Sequence, residues 1–118
     1  MKNGWKYSEN RTSKYHNKKT VVDGITFDSK KEAKRYLELK TLERCGVITD
    51  LRLQAPYVLI DKSNHGRAIK YIADFVYYDR GLKKEVVEDT KSEATKTPVY
   101  RLKKRLMQER YGITIKEI

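Results

Sequence analysis

A mixed α/β fold is what this sequence predicts, and three observations predict it. Asp23-Gly24 stands between the short β-branched runs Thr20-Val21-Val22 and Ile25-Thr26-Phe27, which is a strong hairpin signal. Three strand-like apolar runs follow one another near residues 52–60, 69–78 and 84–91. Two helical stretches with recognisable starts and stops bracket those runs. The order is hairpin, helix, three strands, helix, strand. It argues a meander whose faces the helices cover, a compact mixed α/β sandwich.

Taken in order, residues 1–18 are polar and basic and read as a flexible arm. Trp5, Tyr7 and Tyr15 interleave there with Lys and Arg, a composition suited to stacking on bases or following phosphates. Residues 19–118 then form one domain. The first helix starts at Ser29 and runs to about Cys45, where Gly46 ends it. Cys45 reads as a small packed residue. Asn64 and Gly66 mark the turn after the first long strand, and Asp79, Arg80 and Gly81 the turn after the second. Thr97-Pro98 opens the second helix, with proline at its first position. Val99, Leu102 and Leu106 are its expected inward stripe, and Gly112 closes it. Ile113-Thr114-Ile115 reads as a last short strand.

At 118 residues the chain supports one adequate core. Its 27 Lys and Arg outnumber 16 Asp and Glu, for a net charge of +11. Such a surplus points to a polyanionic partner, nucleic acid first. No long apolar stretch or cationic amphipathic anchor speaks for a membrane. The polar start Met1-Lys2-Asn3-Gly4 shows no signal peptide. One cysteine allows no internal disulfide and no Cys-rich zinc site. The expected location is the cytoplasm. There is no Gly-rich phosphate loop of the ATPase kind.

Two acidic positions and a lysine carry the chemistry. Asp74 lies in Tyr71-Ile72-Ala73-Asp74-Phe75, and Asp89 and Lys91 in Val87-Glu88-Asp89-Thr90-Lys91. A charge within a strand-like run is costly unless paired or bound to a metal. Residues two apart on a strand share a face, so Asp89 rather than Glu88 can work with Lys91. Phosphodiester hydrolysis needs phosphate charge neutralised and a water made nucleophilic. Mg²⁺ takes oxygen ligands and only a few protein carboxylates, and a lysine beside it stabilises developing charge. Each residue also has a plainer explanation, since Asp-x-Lys is common on solvated edge strands.

Glu32 is the fourth candidate, with two roles open. Ser29-Lys30-Lys31-Glu32 is a capping box, and Glu32 also shares a helix stripe with Tyr36 and Leu39. Gln54, before Ala55-Pro56-Tyr57 at a strand entrance, is a candidate DNA contact or ligand-positioning residue. Lys96, Arg101, Lys104 and Arg105 are candidate phosphate contacts. His16 and His65 lack metal-ligand spacing.

Helix Ser-x-x-Glu, then Asp74, then Asp89-Thr90-Lys91, then a helix: this series resembles the PD-(D/E)XK nuclease superfamily. More closely it resembles a family of small phage and prophage proteins. Their pattern stands here as Gly24-Ile25-Thr26-Phe27-Asp28-Ser29-Lys30-Lys31-Glu32-Ala33 and as Leu53-Gln54-Ala55-Pro56-Tyr57, with Tyr100-Arg101-Leu102 after the Asp-Thr-Lys. The Glu, Gln-x-Pro, Asp and Asp-x-Lys series is also similar to transposon end-cleaving nucleases. The resemblance implies a three-layer restriction-endonuclease-like core, with a mixed four-stranded sheet flanked by helices, and Mg²⁺-dependent DNA cleavage with Mn²⁺ as a substitute. By position it makes Asp74 and Asp89 metal ligands and Lys91 the catalytic lysine. It also makes Glu32 a metal or water residue and the Thr90 carbonyl part of the metal shell. The superfamily's proline before the first aspartate is absent, and Ala73 stands there.

The expected function is thus a Mg²⁺-dependent endodeoxyribonuclease, with a phage resolvase or nickase in recombination or replication as the job. The rival is a non-catalytic DNA-binding accessory protein on the same fold, and after it an RNA-binding protein. A homodimer would suit symmetric two-strand cutting.

Overall fold

Local chemistry accounts for the first elements of the computed structural model, which describes residues 19–118. The expected arm at 1–18 lies outside the described residues. Asp23 and Gly24 both take positive φ, 53° and 75°. That is the backbone of a two-residue hairpin turn whose twist matches its strands. It joins β1 (Thr20–Val22) to β2 (Ile25–Phe27), with Val22 paired to Ile25. Helix α1 (Lys30–Arg44) follows. The Ser29 hydroxyl accepts the Glu32 N–H at 3.1 Å, satisfying one of the free donors of the first turn. At the other end Gly46 takes φ 78°. Val47 N–H reaches the Leu42 carbonyl and Gly46 N–H the Glu43 carbonyl. This glycine-dependent cap satisfies the last carbonyls.

The described residues fall into two compact units, the first ending at Leu37 and the second being Glu38–Ile118. In the first, Phe27, Ala33 and Tyr36 are buried. The Phe27 and Tyr36 rings lie 5.1 Å apart, and the Tyr36 hydroxyl donates to Asp23 Oδ2 at 2.9 Å. The hairpin turn is thereby tied to the helix.

The second unit holds a four-stranded mixed sheet in the order β3 (Ile48–Ile60), β4 (Ile69–Asp79), β5 (Lys84–Asp89), β6 (Lys116–Glu117). The first three strands form the expected antiparallel meander, and β6 joins β5 in parallel. The edge position of β3 accommodates Pro56, which has no N–H for a ladder. Helix α2 (Pro98–Tyr111) has Thr97 as its cap, accepting the Tyr100 N–H at 3.1 Å, and Gly112 at φ 66° past its end. Ala55, Leu59, Tyr71, Ala73, Val76, Val87, Tyr100, Met107 and Ile115 make one apolar core between α2 and the sheet strands. Among the described residues no helix is long and apolar enough to cross a membrane.

Several expectations are corrected. The buried stripe of α2 is Tyr100 and Met107, while Val99 and Leu102 are 62% and 58% exposed. Both stripes have helical spacing, and they differ by a rotation of about one residue. The larger Tyr and Met side chains take the core, with Leu106 at the margin. Strand β3 starts at Ile48 rather than 52, so Gln54 sits within the strand and not at its entrance. Strand β5 stops at Asp89 rather than Lys91. The last strand is Lys116–Glu117, because Ile113 and Ile115 are drawn into the core instead. Cys45 is exposed, at the helix end, rather than packed.

Candidate active site

The β4–β5 register brings the two aspartates together. Val76 pairs with Val87 and Phe75 with Glu88. Opposed residues share a face and successive pairs alternate, so one step further Asp74 stands opposite Asp89. Glu88 projects to the other face, as expected. All three carboxyl groups have a reason for their places. Glu88 is fully buried and accepts the Tyr77 hydroxyl, with Lys116 Nζ 3.9 Å away. Asp89 is 4% exposed. Asp74 is held by the chain just beyond Asp89: its Oδ2 accepts both the Thr90 N–H at 2.9 Å and the Thr90 hydroxyl at 2.7 Å.

Burial, and after it the side chain of Asp74, push the Asp89 carboxyl up to about 7. The Tyr71 hydroxyl, donating to Asp89 Oδ2 at 2.7 Å, and Lys91 act in the opposite direction. Burial and the neighbouring Asp89 charge raise the Tyr71 phenol, which keeps it a donor. Lys91 lies two residues past Asp89, the last residue of β5. Its Nζ is 3.5 Å from Asp89 Oδ2 and 4.4 Å from the centre of the Tyr100 ring.

Of the residues expected in the site, Asp74, Asp89, Thr90 and Lys91 are brought together. Gln54 joins them: its Nε2 lies 3.4 Å from Asp74 Oδ1. It holds a φ of 51° inside a strand, a conformation that costs a non-glycine residue energy and recurs at functional positions. Thr90 meets Asp74 through its N–H and hydroxyl. Glu32 is buried in the N-terminal unit, on the expected stripe with Tyr36, and its N–H is capped by Ser29. Arg101 and Arg105 are exposed on α2. Lys96 and Lys104 are ion-paired with Glu117, at 3.3 Å and 3.1 Å.

Sequence reasoning missed Tyr71, Tyr100 and Glu117. Tyr71 stands three residues before Asp74, so strand alternation alone would put it on the opposite face. Their contacts, Tyr71 with Asp89, Tyr100 with Lys91 and Glu117 with Tyr100, join segments that no local spacing brings together.

The donor set suits a divalent cation. Two opposed aspartate side chains, one of them buried, offer hard oxygen ligands of the kind Mg²⁺ takes in small number. Among the described residues no three His, Cys, Asp or Glu side chains gather into one such group, so the aspartate pair is what the structure offers.

Glu88 gives a first expected outcome. Glu88→Ala removes the acceptor of a buried hydroxyl and is expected to cost about 1–3 kcal/mol of stability. Denaturant unfolding measures that loss. The Asp74–Asp89 pair should be left in place in the folded molecules, since the residue lies on the other face.

Compared with known families, the chain matches the one described as Protein of unknown function (DUF1064) over residues 12–116. No curated protein and no solved structure matches it.

Proposed function

The chain belongs to the DUF1064 family, and for it we propose a Mg²⁺-dependent endodeoxyribonuclease of the PD-(D/E)XK kind. The observation that carries this reading is the juxtaposition of Asp74 and Asp89, with the Lys91 ammonium 3.5 Å from Asp89. Asp74 and Asp89 would hold the cation. Bound there, it supplies charge neutralisation on the phosphate and a lowered pKa for its water.

The chain's own residues do the rest. Thr90 fixes Asp74 through two hydrogen bonds to one oxygen, leaving Asp74 Oδ1 on the Gln54 side. Tyr71 fixes Asp89 from within the core. Lys91 donates toward negative charge gathering on the phosphate oxygens, where a preorganised donor counts most. Arg101 and Arg105 follow the DNA backbone, adding affinity that salt weakens. The net charge of +11 has the sign this substrate requires. A resolvase or nickase in phage recombination or replication remains the job proposed, in the cytoplasm of the cell that makes the protein.

The test is a cleavage assay with Mg²⁺ or Mn²⁺ on supercoiled plasmid, linear duplex, single strand, flap and four-way junction. Metal-dependent products are expected, and the preferred substrate identifies the job. Binding to DNA with no product on any substrate would overturn the nuclease and leave a DNA-binding accessory protein.

A pH dependence follows. Asp89 is raised in the folded chain, so its protonated form favours the fold. In cation-free protein that contribution is full below the ordinary 3.8 and is lost as pH rises through about 7. A cation requires the carboxylate, so binding on the acid side releases a proton. Mg²⁺ affinity should therefore rise with pH and level off above about 7, as calorimetric titration would show. An affinity indifferent to pH would remove Asp89 from the ligand set.

A further inference from the structure

Lys91 has a support that the motif does not explain. Its ammonium lies over the face of Tyr100, 4.4 Å from the ring centre. Tyr100 is buried at the start of α2. A cation over an aromatic face is attracted by the ring's electron density, more strongly where water is scarce, and the Lys91 side chain is only 19% exposed. The ring is itself anchored. Its hydroxyl donates to Glu117 Oε2 at 2.7 Å. Glu117 also takes Lys104 at 3.1 Å on the same oxygen and Lys96 at 3.3 Å on the other. Glu117 belongs to β6, paired with Asp89 across the parallel ladder. Beside it Ile118 N–H donates to the Asp89 carbonyl at 2.9 Å, and Lys91 N–H to the Ile118 carbonyl at 3.3 Å. One short strand thus frames the backbone of Asp89-Thr90-Lys91 and, through Glu117, the ring beneath the lysine's ammonium.

We infer that Tyr100 is a positioning residue for Lys91, its ring aiming the ammonium at the Asp74–Asp89 site and Glu117 setting the ring. The inference deepens the nuclease reading and rests on it for its kinetic consequence, but its geometric part is separable. A misplaced reacting group costs turnover more than substrate binding. Tyrosine also does what phenylalanine cannot, because only its hydroxyl reaches Glu117.

The experiment has two readouts on full-length Tyr100→Phe, Tyr100→Leu and Glu117→Gln. The first is the NMR position of the Lys91 ε-methylene in protein carrying labelled lysine, assigned by its loss in Lys91→Arg. In wild type the ring current moves it upfield. The displacement should shrink in Tyr100→Phe and in Glu117→Gln, which both loosen the ring from Glu117, and vanish in Tyr100→Leu. The second is Mg²⁺-dependent plasmid nicking. Tyr100→Leu should lower kcat by about tenfold or more with KM little changed, while Tyr100→Phe stays within about threefold. An undisplaced Lys91 signal in wild type would overturn the inference. So would equal losses in the Phe and Leu variants carried by KM, which would mark a merely structural ring. If wild type cuts nothing, the nuclease reading fails, and the Lys91 signal still decides whether Tyr100 positions the lysine.

Discussion

Asp89→Asn is expected to abolish metal-dependent cleavage while leaving the protein as stable as wild type or more so. The two effects have one cause. The Asp89 carboxyl is raised to about 7 by burial and by Asp74 opposite, so its ionised form opposes the metal-free fold above that pH. An asparagine of the same shape keeps an oxygen to accept from Tyr71 and removes the charge that a cation needs. The activity should fall by at least about 10²-fold, the scale of losing one preorganised electrostatic partner. Lys91→Ala should match that loss for the complementary reason, removing the donor 3.5 Å from Asp89. Cleavage assays paired with thermal unfolding read both quantities on the same samples. If Asp89→Asn unfolded easily, the carboxylate would be a structural group and the opposed pair would not be a site poised for a cation. Full activity in either variant would remove that residue from the chemistry.

Met107→Ala is expected to destabilise the protein by about 2–5 kcal/mol, the range for emptying a close-packed methionine site. Met107 is completely buried within the core that joins α2 to the sheet. Leu102→Ala should shift stability by no more than about 0.5 kcal/mol, as an exposed substitution does, because Leu102 is 58% exposed. Urea unfolding of the two variants separates the observed helix orientation from the one the apolar spacing suggests. A large loss in Leu102→Ala with a small one in Met107→Ala would reverse it. The orientation matters for function: rotating α2 would carry Tyr100 away from Lys91 and turn Arg101 and Arg105 from solvent.

Much of the fold was legible because its signals are local. Asp23-Gly24 demands a left-handed two-residue turn, Ser29 caps a helix, Gly46 and Gly112 end helices, and Thr97-Pro98 starts one. Each acts within a few residues of itself, so sequence spacing suffices. The face assignment of Asp89 against Glu88 was legible for the same reason, since strand alternation is a property of the backbone. Which of two neighbouring stripes of α2 enters the core was not, because both have helical period and only the facing sheet selects between them. The parallel seat of β6 beside β5 depends on backbone bonds between residues far apart in the chain, Ile118 with Asp89 and Lys91. So does the company that the site residues keep. The sequence by itself determined the turns, the helix limits and the presence of two aspartates and a lysine with strand spacing. Tertiary structure alone decided that Asp74 faces Asp89, that Thr90 and Tyr71 hold them, and that Tyr100 lies under Lys91. Those contacts join segments whose separation along the chain carries no information about their distance in space.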